Sequence, residues 1–188
     1  EFDQAEFLYA IQSYDKAIDL YTKIIAGYPK NQFRSDQVET ALERQLTYFS
    51  RIKRSPQPTI ALMQKNLKNK ELPEYLKTNI AAWIAQFEKW ENMPFIDPKS
   101  ATDKQVVDFA KKNIDTKWTT KAMDATNPQL VTYLRISGLL YEYLQTYPKT
   151  KVAPEILYWL AICERSIDNN FFYSLADLYL RECITQYP

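Results

Sequence analysis

Tyr147-Pro148-Lys149-Thr150-Lys151-Val152-Ala153-Pro154-Glu155-Ile156-Leu157-Tyr158-Trp159-Leu160-Ala161 carries the chain from the end of one aromatic-rich helical stretch into the start of the next. A proline disfavours the α region in the residue before it, so Tyr147 is where a helix stops. The same Tyr-Pro ending occurs at Tyr28-Pro29 and Tyr187-Pro188. The last two prolines are 40 residues apart and the first two 119, one short of three such periods. A helix stop repeated at a fixed interval is how stacked helical hairpins look in sequence. The expectation is an all-α fold, a right-handed α-solenoid of hairpins forming a single array over 1–188.

Working outward, the spacing before the prolines also repeats. Ala17 and Ala176 stand twelve residues before Pro29 and Pro188, Tyr21 and Leu180 eight before, and Ile24 and Cys183 five before. A small residue lets a neighbouring helix approach, and large apolar residues three or four positions on fill the groove beside it. The stretch Ala5-Glu6-Phe7-Leu8-Tyr9-Ala10-Ile11-Gln12-Ser13-Tyr14-Asp15-Lys16-Ala17-Ile18-Asp19-Leu20-Tyr21 resembles a tetratricopeptide repeat. The opening stretch at 147–161 resembles the join between two such repeats in bacterial envelope proteins of the outer-membrane assembly lipoprotein and Tol-Pal accessory type. The resemblance covers about 1–30 and 140–188. Ala161 stands where those repeats usually carry glycine, and Asp168-Asn169-Asn170-Phe171-Phe172 gives a turn about three residues longer than theirs. Between Gln32 and Pro128 the repeat signature fades.

Composition narrows the class. With 46% hydrophobic residues in 188, the chain can bury a sizeable core. Two glycines, Gly27 and Gly138, leave little material for the turns of an all-β fold, a P-loop or a dinucleotide-binding loop. Histidine is absent, which removes the commonest general base and transition-metal ligand together. Cys163 and Cys183 lack the close spacing of structural zinc sites. Carboxylate pairs such as Glu71 with Glu74 and Glu88 with Glu91 have the spacing of a wetted helix face. No enzyme activity, catalytic residue, metal site or cofactor is therefore expected. A net charge of +1 lacks the Lys and Arg excess on which nucleic-acid affinity rests. No run of about 18 apolar residues is present, so no membrane span is expected. Glu1 implies that the native start is missing, which leaves room upstream for a signal or lipid anchor.

Period and caps place the helices. Residues 2–11 and 14–28 make a first hairpin with Ser13 as N-cap. The next helix begins near Asp36, with Glu39 as its capping partner, carries Val38, Leu42, Leu46, Phe49 and Ile52 on one face, and closes on Arg51, Lys53 and Arg54. Pro56 and Pro58 separate it from a short helix ending near Asn69. Pro73 opens a helix to about Asn92 with Leu76, Ile80, Trp83, Ile84, Phe87 and Trp90 inward. Met93-Pro94-Phe95-Ile96-Asp97-Pro98 is a break, and 93–101 the candidate hinge. Thr102 with Gln105 makes a capping box for a helix to about Asn113. Residues 114–126, with Trp118, read equally as a poor helix or an ordered loop. Asn127-Pro128 starts a helix to Tyr147, and 153–168 with 171–187 form the final hairpin. The count is nine or ten helices.

In an antiparallel hairpin turning near residue 170, Cys183 lies about 9 Å beyond the position opposite Cys163 at 1.5 Å per residue. That exceeds disulfide reach, so two buried thiols are expected. In tetratricopeptide arrays the first helix of each hairpin lines a concave groove. The resemblance thus implies partner-binding positions at Tyr158, Trp159, Ile162 and Arg165, with Glu155 at the lip, and at Phe2, Glu6 and Tyr9 in the first repeat. The function it implies is a non-enzymatic protein-interaction scaffold, in the periplasm or on the periplasmic face of the outer membrane, with cytoplasm as the other compartment. Two alternatives stand beside it. One is a glycan- or peptidoglycan-binding module using Trp159, Tyr158, Trp83 and Trp90 as stacking platforms, and the other a non-catalytic helical domain of a larger envelope enzyme. Leu178, Cys183 and Ile184 are expected to remain available for a further layer.

Overall fold

A computed structural model describes residues 1–30, 32–115, 129–167 and 170–187, of which 170–174 are described in backbone only. Among these, every regular element is helical, with nine α-helices and no strand. Trp118 and the start at Asn127-Pro128 lie outside the described residues, as do Asp168 and Asn169 of the last turn. The chain divides into two compact units, Glu1–Trp90 and Glu91–Pro188.

In the first unit, α1 (Phe2–Ala10) packs on α2 (Tyr14–Gly27), and α2 in turn on α3 (Ser35–Thr47). Helix α2 ends where the sequence says it must: Tyr28, ahead of Pro29, has left the helical region at φ −64°, ψ 139°. Ser13 occupies the N-cap position without bonding the first turn through its side chain. At α3 the expected pairing of Asp36 with Glu39 is replaced. Gln37 Oε1 accepts from the Arg34 N–H (3.1 Å), Asp36 binds the Arg34 guanidinium (2.8 Å), and Glu39 accepts from the Tyr75 hydroxyl (3.1 Å). The capping pair thus lies two positions earlier than the sequence pairing required, Arg34 with Gln37 in place of Asp36 with Glu39, because the helix begins at Ser35.

A turn of π-helix, Tyr48–Lys53, extends α3 and closes on Arg54 in the left-handed conformation. Its i→i+5 spacing breaks the α-period. Tyr48 and Ser50 turn inward, Phe49 is half-buried and Ile52 is exposed, so the expected single face ends at Leu46. Pro56 and Pro58 do not separate elements; they form the first turn of α4 (Pro56–Asn66), where a missing N–H costs nothing. Helix α5 (Glu74–Phe87) follows Pro73, and a short 3₁₀ turn, Trp90–Asn92, carries Trp90. The inward reading of Leu76, Ile80, Trp83, Phe87 and Trp90 holds.

Buried amides tie this unit together. Asn66 Nδ2 donates to Gln45 Oε1 (2.8 Å), and Gln45 Nε2 donates to Thr22 Oγ1 (2.9 Å), a chain running from α4 through α3 to α2. Asn69 Nδ2 donates to the carbonyls of Ile25 and Tyr28 (both 2.8 Å) and so satisfies acceptors orphaned at the end of α2.

In the second unit, α6 (Asp103–Asn113) opens with the expected capping box. The Gln105 N–H donates to Thr102 Oγ1 and the Thr102 N–H to Gln105 Oε1. Helix α7 (Leu130–Thr146) stops before Tyr147, again at a pre-proline residue. Helix α8 (Ala153–Ile167) is the centre of the unit, packing on α6, α7 and α9 (Asn170–Gln186). Asp103 Oδ1 accepts from Tyr143 Oη and Thr150 Oγ1 (2.6 Å), pinning the start of α6 to the end of α7 and the turn after it. The bonds from Thr150 and Tyr143 hold the Asp103 carboxyl below its ordinary range, while burial, reinforced by the bond to Asp103, raises the Tyr143 phenol to about 12. Ala17 and Ala176 are both buried, in keeping with their reading as contact residues.

Candidate functional site

The groove positions on α8 separate by depth. Glu155, Tyr158, Ile162 and Arg165 fall at i, i+3, i+7 and i+10, within about 80° of one another around the helix at 3.6 residues per turn. Tyr158 is 42% exposed and the other three are half-buried. They form one partly open strip about 15 Å long at 1.5 Å per residue. Trp159 leaves the set: it is 8% exposed, and its ring meets that of Tyr158 edge-on with centroids 5.4 Å apart. One position along a helix is 100° of rotation, which is what turns Trp159 into the interior while Tyr158 faces out. At the lip, Glu155 is engaged by Lys111 of α6 at 2.7 Å.

The positions on α1 belong to the other unit and are occupied by packing. Arg44 of α3 forks onto the Glu6 carboxylate through Nε (3.2 Å) and Nη2 (2.9 Å), and the Tyr21 hydroxyl donates to the same carboxylate. Burial pushes the Glu6 carboxyl up, but the bonds from Arg44 and Tyr21 and the charge of Arg44 outweigh it, so Glu6 stays below the usual carboxylate range. The Arg44 guanidinium lies 5.1 Å from the centre of the Tyr9 ring, which also meets Tyr14 at 5.2 Å. Burial drives the Tyr9 phenol well above its ordinary value. Phe2 is half-buried at the start of the same face. The resemblance implied this face of α1 but not what covers it, because Arg44 arrives from 38 residues away.

The tryptophan platforms are not available. Trp83, Trp90 and Trp159 are 1%, 5% and 8% exposed, and a sugar ring stacks only on an open aromatic face. Cys163 is buried and donates to the Tyr133 carbonyl (3.2 Å). Cys183 is half-buried rather than buried, and its Sγ lies 3.5 Å from the Pro154 carbonyl. Both are free thiols, as the hairpin geometry required. Leu178 and Ile184 are 57% and 72% exposed, but six residues of separation set them roughly 120° apart on α9 rather than on one strip. No cluster of metal-ligating side chains occurs among the described residues, and none of their helices is long and apolar enough to cross a membrane.

One concavity was not legible in the sequence. Beside the break at Met93–Pro98, a cavity of about 700 Å³ opens against α6, walled by Met93, Phe95, Ile96, Phe109 and Lys112 among others. The only sequence signal was the proline-bounded apolar run, which reads equally as a hinge. No family model matches this chain, and neither a curated protein nor a solved structure matches it.

Proposed function

We propose that this protein is a helical-hairpin interaction scaffold that holds a protein partner along the open strip of α8, with the hairpins stacked as in tetratricopeptide arrays. The observation that supports it is the exposure of Tyr158 at the middle of a strip otherwise made of Glu155, Ile162 and Arg165. An aromatic ring with a polar tip, flanked by an aliphatic side chain and a guanidinium, has the composition of an interface anchor. Strip and core also do different work on adjacent residues: Trp159 fixes the helix, and Tyr158 is left over for contact. The resemblance of the first and last hairpins to envelope repeats makes a periplasmic or outer-membrane-associated complex the place to seek the partner.

The test is site-specific crosslinking from position 158 in native envelope extract, followed by binding to the identified partner. Tyr158→Ala should weaken that binding about tenfold, the equivalent of about 1.4 kcal/mol, with unchanged helicity and melting. Glu88→Gln, on an exposed acid just past the end of α5, should leave it as it was. Binding untouched by Tyr158→Ala but abolished by Leu178→Glu or Ile184→Glu would move the interface to α9 and overturn the reading.

A further inference from the structure

The break at Met93–Pro98 carries two independent features. The first is its backbone. Pro94 has a fixed φ, and Met93 and Asp97 each precede a proline and are biased to extended geometry. Among the described residues, the main chain of Phe95 and Ile96 neither donates nor accepts a hydrogen bond. A segment in that condition presents donors and acceptors to whatever lies alongside. The second feature is the cavity of about 700 Å³ next to it, within the size range of ligand-binding clefts.

The walls of the cavity select among ligands. Met93, Ile96 and Phe109 offer half-buried apolar surface, and Phe95 stays 59% exposed while its ring rests 5.3 Å from the Arg135 guanidinium. Most of the polar lining is already engaged. Asp97 accepts from Ser100 Oγ (2.7 Å) and the Lys99 N–H (3.1 Å), Asp108 pairs with Lys104, and Asn113 Nδ2 donates to the Phe109 carbonyl (2.8 Å). Of the charged groups in the lining, Lys112 is the one with no partner among the described residues. Lys112 is therefore the cation left to meet an anion, beside apolar surface and a main-chain segment without hydrogen bonds, while Asp97, whose donors are neutral, keeps its negative charge.

We propose that this groove binds an extended peptide. Its main chain pairs with that of Phe95 and Ile96, a large apolar side chain seats against Met93 and Phe109, and a neighbouring carboxylate meets Lys112. Main-chain pairing supplies affinity in such a mode and the side-chain pocket supplies selectivity. The site uses no residue of the α8 strip and stands or falls separately from it.

The experiment is panning of a random heptapeptide phage library on the full 188-residue chain, followed by fluorescence anisotropy with the enriched peptide. Enriched sequences should place a large apolar residue within two positions of Asp or Glu. Lys112→Glu and Phe95→Ser should each weaken binding at least tenfold, with Lys112→Gln intermediate and helicity unchanged in all three. Amide exchange at Phe95 and Ile96 should slow on binding, and Tyr158→Ala should have no effect. The proposal is overturned by a lack of enrichment, by enriched peptides indifferent to both Lys112→Glu and Phe95→Ser, or by unaltered exchange at Phe95 and Ile96.

Discussion

At Tyr158 and Trp159 two neighbouring aromatics of similar size take opposite fates, and their substitutions should differ accordingly. Truncating a buried tryptophan forfeits its burial and leaves a cavity, about 3–5 kcal/mol in all. Trp159→Ala should therefore lower the denaturant midpoint sharply. Tyr158→Ala, at a surface position, should stay within about 0.5 kcal/mol of the parent. Paired urea titrations of the two variants check this, and equal losses would place both rings in the core. The Trp159 Nε1 has no hydrogen-bond partner among the described residues, and the same is true of Trp83 Nε1. Both rings thus act through apolar packing, not through their polar edge.

At the scale of elements, boundaries follow rules that operate within a few residues. Helices α2 and α7 stop ahead of Pro29 and Pro148, and α6 starts at a reciprocal Thr102–Gln105 pair. Thr102→Ala removes the acceptor for the Gln105 N–H, so a loss of about 1 kcal/mol is expected, within the range of about 0.5–2 for such caps. Thermal melting of the variant measures it, and Thr102→Ser should recover most of the loss. Where rules of this range misplace a feature, a longer-range contact or a change of helix type intervenes. Glu39 was assigned to a cap, yet it accepts from Tyr75, 36 residues on. The inward face of α3 was extended to Ile52, yet the π-turn re-aims the side chains after Leu46.

For the whole molecule, the sharpest handle is Glu43, half-buried on α3. Burial and the nearby charge of Glu39 push its carboxyl up to about 7, with Arg44 pulling the other way. Unfolded, it titrates near 4.5. The folded state therefore holds this proton more tightly. The associated stability is complete below about pH 4.5 and is lost as pH rises through about 7. A shift of that size corresponds to at most about 3 kcal/mol. Glu43→Gln should raise the melting temperature above that of the parent at pH 8 and leave the two alike near pH 4.5. Taking the difference between the two proteins cancels the opposite trends of Glu6 and Asp103, whose carboxyls are held low. A difference that does not change with pH would show that the fold leaves the Glu43 carboxyl at its unfolded value.

The amino-acid sequence by itself determined the helical class, most helix limits, the inward faces of α2 and α5 and the separation of the two thiols. Each of these depends on backbone sterics, caps or rotation per residue, which act over one or two turns. Four of the five α8 positions that the resemblance implied fall on one partly open strip for the same reason: their spacing is a property of the helix alone. Which positions stay open was decided by tertiary structure. Trp159 is covered, Glu155 is met by Lys111, and Glu6 and Tyr9 are closed over by Arg44. The groove beside Phe95 likewise exists only because α6 lies against a break that local rules describe as a connector. Burial depends on which distant element arrives, and no spacing within one helix encodes that arrival.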